Sequence, residues 1–156
     1  MHVYELDIPA RKGLTNIELE KYASELKIPH FRGVYMKDTL PTRPPQKTEC
    51  GIVNMNKMSQ AGSHWVCYAK FPHSVSIYFD SFGQNVLEEV KRYLKTEREF
   101  KNNLPVIARN TDVVQRINTH VCGHLCLFVL TSMMREHLPY QDVLNNLRYG
   151  FTQAYW

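Results

Sequence analysis

Apolar positions recur along this chain in two rhythms, and each change of rhythm marks an element. In TNIELEKYASELK, residues 15–27, Ile17, Leu19, Tyr22, Ala23 and Leu26 follow helical spacing and predict a first helix with these side chains inward. Thr15 and Glu18 have the separation of a capping box at its start, and Pro29 ends it. Residues 38–49, DTLPTRPPQKTE, hold three prolines and no apolar period, which predicts a surface loop. GIVNM (51–55), HWVCYAKF (64–71) and SVSIYFD (74–80) are rich in β-branched and aromatic residues and read as strands. The connection FPHS is short enough to join the last two as an antiparallel hairpin.

Helical spacing returns over residues 86–99, with Val86, Leu87, Val90 and Leu94 inward and a mixture of Lys, Arg and Glu outward. Mixed charge of this kind is the pattern of a solvated face with i,i+4 pairs rather than of a nucleic-acid stripe. LPVIAR (104–109) and DVVQRI (112–117) predict two more short strands. From Cys122 a broad stripe of Leu125, Cys126, Val129, Leu130, Met133 and Met134 predicts a buried helix ending near His137, before Pro139. A last helix over 140–149 would close on Gly150. The order helix, strands, helix, strands, helices indicates an α+β fold, a single domain over residues 1–156 with one mixed sheet.

Composition leaves that picture intact: 44% hydrophobic and 22% charged residues are ordinary for a globular chain. No apolar run approaches the roughly 18–20 residues needed to cross a bilayer, so no membrane partner is expected. The first residues, MHVYELDIPARKG, lack the apolar block of a secretory signal, and an intracellular protein is expected. In that compartment Cys50, Cys67, Cys122 and Cys126 are expected as thiols rather than disulfides. A net charge of +4 and a pI of about 8.9 permit attraction to DNA or RNA without marking a dedicated binder.

Candidate chemistry concentrates around residue 122. His120, Cys122, His124 and Cys126 fall at alternate positions, which raises the possibility of a metal site. On a strand, successive members would be spread about 6.5–7 Å apart, and on a helix they would divide between faces. Neither arrangement gathers a tetrahedral ion, and the spacing is unlike a zinc knuckle, so no metal is expected. Cys126 lies inside the apolar stripe and reads as a small core residue. Cys122 begins the helix, where unpaired amides and the positive end of the dipole stabilise a thiolate. Gly123 beside it allows close approach of another chain.

A nucleophilic cysteine needs a base with an orienting partner. His64, in GSHWV, stands at the start of a strand, and the hairpin would bring Asp80 from the end of the next strand beside it. The alternative role for Asp80 is to cap the following SFG turn. Gln115, seven residues before Cys122, carries an amide suited to meet a developing oxyanion together with the Cys122 N–H.

The order His, Asp, Gln, Cys in HWV, YFDSFG and Q…CGHLC, with FRGVYMKDTLP (31–41) and ECGIVNMN (49–56), resembles the adenovirus maturation proteases, the adenains. It is also similar to adenain-like proteases of related DNA viruses and large self-synthesising DNA transposons, and more remotely to proteases that process ubiquitin-like modifiers. The resemblance implies a papain-like or adenain-like domain whose sheet packs on a buried helix carrying the nucleophile. It implies a cysteine endopeptidase with Cys122 as nucleophile, His64 as base, Asp80 as orienting acid and Gln115 as oxyanion donor. Trp65, Gly62, Gly123 and Asn54 would meet the substrate, although Trp65 equally suits a strand core and Asn54 a strand end.

The implied substrates are viral capsid or core precursors, cut after small residues such as glycine. Two alternatives stay open: a protease acting on ubiquitin-like modifiers, and a non-catalytic module that binds capsid protein or DNA. No cofactor is required by the sequence; activation by a viral peptide, by DNA, or by both is implied by the resemblance alone. In adenain that peptide is held by a disulfide in the middle region, where this chain has no cysteine between Cys67 and Cys122. A monomer located in the virion and the host nucleus completes the implied picture.

Overall fold

A computed structural model describes residues 1–59, 64–95, 107–116 and 118–148. In chain order it contains β1 (His2–Val3), β2 (Leu6–Asp7), α1 (Asn16–Glu25), β3 (Phe31–Met36), β4 (Glu49–Asn54), β5 (Trp65–Lys70) and β6 (Ser76–Phe79). There follow α2 (Glu88–Leu94), β7 (Ile107–Arg109), α3 (Cys122–Leu130) with a π-helical turn (Thr131–Arg135), and α4 (Tyr140–Asn146). β1 and β2 form a small antiparallel pair, and the other strands make one sheet in the order β3-β4-β5-β6-β7. Its two outer pairs, β3–β4 and β6–β7, are parallel and its inner pairs antiparallel, which is the mixed sheet of an α+β fold.

The expected hairpin is present: β5 and β6 pair with Cys67 opposite Phe79 and Ala69 opposite Ile77. Side chains alternate between faces along each strand. Trp65, Cys67 and Ala69 of β5 join Ile52, Phe79 and the apolar sides of α1 and α3 in the main core. Val66 and Tyr68 point the other way and pack with Tyr78 and with Val90 and Leu94 of α2. Covered on both faces, β4, β5 and β6 are buried throughout, and they read in sequence as near-continuous apolar runs for that reason. α3 is buried almost all round, so its apolar residues are not confined to one stripe.

The start of α1 follows its sequence signal closely. Glu18 N–H donates to Thr15 Oγ1 and Thr15 N–H donates to Glu18 Oε1, both at 3.1 Å, which completes the capping box. Ile17, however, is 73% exposed rather than inward. It precedes Leu19 by two residues, about 200° round a helix, and so faces solvent while Leu19, Ala23 and Leu26 are buried. β3 is an addition to the expected elements, because FRGVYM lacks clean alternation and becomes a strand only through parallel pairing with β4.

Residues 112–116 form no strand. Val113 is 64% exposed, while Val114 turns inward and its N–H donates to Ser81 O at 2.8 Å. That bond carries the segment across the end of the sheet instead of along its edge. The long helix from Cys122 changes pitch at Thr131, whose hydroxyl donates back to Leu127 O at 2.7 Å and whose carbonyl accepts from Glu136 N. Residues 96–99 of the second expected helix, 104–106 of the expected strand, Ile117 and Gly150 lie outside the described residues. No helix among the described residues is long and apolar enough to cross a membrane.

Candidate active site

Cys122 is the first residue of α3, and no side chain among the described residues caps that helix end. The amides left open there, with the helix dipole, favour negative charge on the sulfur. A further donor comes from the sheet: Trp65 N–H points at Cys122 Sγ with a separation of 3.5 Å. α3 can lie this close because Gly123 has no side chain; a Cβ there would meet Leu19 at 3.1 Å and Trp65 at 3.4 Å. The bareness of Gly123 therefore serves the packing of α3 against α1 and β5.

His64 immediately precedes β5. Its Nε2–H donates to Asp80 Oδ1 at 2.7 Å, and Phe82 lies over the ring with centroids 4.9 Å apart. Both contacts follow from the hairpin register, which, continued beyond Cys67 and Phe79, sets His64 opposite Phe82. With Nε2 engaged, Nδ1 is the ring nitrogen left to face Cys122. Burial pulls the His64 pKa down, but its hydrogen bonds to Asp80 and Cys122 and the charges on both outweigh this and raise it to about 9. Both partners thus favour the imidazolium over the neutral ring.

Asp80 is fully buried. Its Oδ1 also accepts from Phe82 N–H at 2.9 Å, so the same carboxylate both caps the SFG turn and holds the histidine. Its Oδ2 has no hydrogen-bond partner among the described residues. The turn itself depends on Gly83, which has φ +67° and whose Cβ would strike Thr111 O at 2.5 Å. Gln115 is aligned by Ser81, whose Oγ–H donates to Gln115 Oε1 at 2.6 Å, while Gln115 Nε2 donates to Thr119 O at 3.0 Å. An amide nitrogen carries two protons, so one remains for a ligand.

His64, Trp65, Gln115, Cys122, Asn54 and Phe82 line one cleft of about 730 Å³. Trp65 is pinned by its indole N–H, which donates to Leu14 O at 2.9 Å. Asn54 is buried with Oδ1 bonded to Asn56 N–H at 2.9 Å and with Nδ2 unpartnered among the described residues. Gly62 lies outside the described residues. Phe82 and Ser81 were not foreseen as site residues, although both stand in YFDSFG and extension of the hairpin register would have located Phe82.

The remaining polar residues of the 120–126 run separate from one another. His124 is buried and its Nε2–H donates to Pro9 O at 2.7 Å, whereas His120 is exposed at the cleft margin. Burial pushes the Cys126 thiol pKa well up, and a bond with Cys67 adds to this. Among the described residues no three His, Cys, Asp or Glu side chains are grouped to hold a metal ion.

A sulfur at a helix start, a histidine beside it, a buried carboxylate behind that and an amide donor can together attack a carbonyl and hold the resulting oxyanion. The model of the adenovirus endoprotease family matches residues 31–148, more than half of the chain, and the chain belongs to that family. It is 29% identical over 133 residues to the protease of Porcine adenovirus A serotype 3, covering 79% of this chain and 65% of that protease. The chain thus spans just under two thirds of that relative's length. Two crystal structures of the ASFV pS273R protease, the second of its selenomethionine form, superimpose with TM-scores of 0.57 at 16% and 15% identity. They cover 86% and 91% of this chain and 61% and 67% of those chains, a likeness of fold.

Proposed function

We propose that the protein is a cysteine endopeptidase in which Cys122 attacks, His64 moves the proton, Asp80 holds the imidazole and Gln115 meets the oxyanion. The observation that carries this reading is the 2.7 Å bond from His64 to Asp80 in a cleft shared with the sulfur at the start of α3. Cys122 Sγ, as a thiolate, adds to the substrate carbonyl carbon, and the carbonyl oxygen becomes an oxyanion held by the free Gln115 N–H and the Cys122 N–H. His64, as imidazolium, gives its proton to the departing amine as the C–N bond breaks, leaving a thioester. Neutral His64 then takes a proton from water, whose oxygen displaces the sulfur and restores the thiolate–imidazolium pair.

The substrate is a polypeptide; by family likeness it is a viral structural precursor cut after a small residue such as glycine. Trp65 and Phe82 flank the cleft, and two aromatic walls favour a substrate residue with little side chain. By the same likeness the enzyme acts as a monomer in the virion and host nucleus and is stimulated by a peptide or by DNA. The reading is tested with a peptide vinyl-sulfone probe on the wild-type protein and on Cys122→Ala, with adducts mapped by mass spectrometry. A single adduct on Cys122, absent from the variant, is expected; adducts persisting on Cys50 or Cys67 would remove Cys122 as the nucleophile. Cleavage of a Gly-Gly-terminated modifier fusion in preference to a capsid precursor would reassign the substrate, and inertness toward both with no adduct would leave a binding module.

A further inference from the structure

β6 and β7 run in parallel up to the pairing of Tyr78 with Arg109, and there the ladder stops. Asp80 lies just past that point, fully buried, where β7 no longer runs beside it to pair with its backbone on that side. The residue that follows β7, Asn110, supplies the missing partner with its side chain. Asp80 N–H donates to Asn110 Oδ1 at 3.0 Å, and Asn110 Nδ2–H donates to Asp80 O at 2.6 Å. The two bonds also set the amide's orientation, because the flipped form would face donor to donor and acceptor to acceptor.

Asn110 is itself held. It is 3% exposed, and its Nδ2 also donates to Asp112 O at 3.2 Å. The Tyr140 hydroxyl donates to Tyr78 O at 2.7 Å and stands 3.4 Å from Asn110 Oδ1, which ties the amide to the first residue of α4. Such an investment of buried hydrogen bonds at one backbone position has a use in the carboxylate it carries. Among the described residues, one oxygen of Asp80 makes every bond of that group and the other makes none. The side chain is therefore not locked from both sides, and its aim depends on where the backbone is held.

We propose that Asn110 is a positioning residue of the Cys122–His64–Asp80 centre: by clamping the N–H and C=O of Asp80 it aims that carboxylate at His64. This rests on the cysteine-protease reading of the site. A hydrogen bond as short as that between His64 and Asp80 weakens steeply with small displacements, so release of the clamp lowers the stability of the imidazolium and hence of the thiolate beside it.

The experiment combines an NMR titration of the His64 ring with the rate of Cys122 alkylation by iodoacetamide at pH 7. It compares wild type, Asn110→Ala, Asn110→Thr and, as reference, His64→Ala. Threonine can restore only one of the two bonds, and it keeps the site closer to its natural volume should alanine impair folding. With the clamp gone, His64 is expected to titrate about one pH unit lower and alkylation to slow, with smaller changes for threonine. If the variants that fold titrate and alkylate like wild type while melting at lower temperature, Asn110 contributes stability alone and the proposal is overturned. If wild type alkylates no faster than His64→Ala, the failure lies in the protease reading itself, and that result is recognisable without reference to Asn110.

Discussion

Two carboxylates lie fully buried at opposite ends of one sheet, Glu49 at the start of β4 and Asp80 just after β6, and they are satisfied differently. Glu49 Oε1 accepts from Arg32 Nη1 at 2.9 Å and Gln46 N–H at 2.7 Å, and Oε2 accepts from the hydroxyls of Tyr68 at 2.6 Å and Tyr93 at 2.7 Å. Burial alone would raise the Glu49 pKa, but the bonds from Tyr68, Tyr93, Gln46 and Arg32 reverse this and hold it below the ordinary carboxylate value. Gly51 leaves room for the arrangement, since a Cβ there would meet the Tyr68 ring at 2.8 Å. Asp80 has both side-chain bonds on one oxygen, and one of its partners is a titratable ring. A carboxylate surrounded by donors that keep their protons fastens elements together. One that is partly engaged, with a histidine as its partner, can support proton transfer.

Exchanging Asp80 for Asn tests the functional half of this contrast and has the largest expected effect. Peptide hydrolysis should fall by roughly two to four orders of magnitude, because the imidazolium loses its countercharge and tautomer control. Glu49→Ala is the converse case. It leaves Arg32 and two tyrosine hydroxyls without their acceptor and should cost about 3–5 kcal/mol in urea unfolding, with activity per folded molecule unchanged. Loss of hydrolysis at constant folded fraction would dissolve the distinction between the two sites.

The pH dependence of stability should separate them again. The His64 pKa is raised from 6.5 to about 9 on folding, so its contribution is fully present below pH 6.5 and is lost as pH rises through about 9. The Glu49 pKa is lowered from 4.5, so its contribution is present above that value and fades as pH falls through the folded one. Urea midpoints measured across pH should therefore lose their alkaline limb in His64→Ala and part of their acid limb in Glu49→Gln. The rest of the acid limb belongs to groups such as Glu5 and Glu18, whose pKa values are also lowered by hydrogen bonds, from Arg135 and from the Thr15 backbone. Tyr93→Phe removes one of four bonds to Glu49 and should cost only about 1 kcal/mol, read from the same titrations.

How much of this could be read in advance depended on whether the cause was local. The capping box of α1 and the strand character of β5 and β6 arise within a few consecutive residues, and they formed where the pattern put them. Ile17 was misplaced because five apolar residues near helical spacing do not reveal which of them a neighbour will cover. β3 escaped notice because its strand state comes from β4, across a prolyl loop. The expected strand over 112–117 failed for a related reason: Val114 finds its hydrogen-bond partner in Ser81, beyond the end of β6, and no periodicity records that.

The site divides along the same line. The residue types able to do chemistry, and the placing of Cys122 at the first turn of a helix, were determined by the sequence itself, since a helix start is set by the residues around it. The meeting of His64 with Asp80, over 16 positions, already followed from the expected hairpin, whereas tertiary structure decided which strand amide meets the sulfur, over 57. It also made Asp80 rather than Glu49 the carboxylate with an open oxygen, and it set Asn110 against the Asp80 backbone. Each of these depends on strand register and on helix-to-sheet packing, and hydrogen bonds between distant segments leave no period in the chain that makes them.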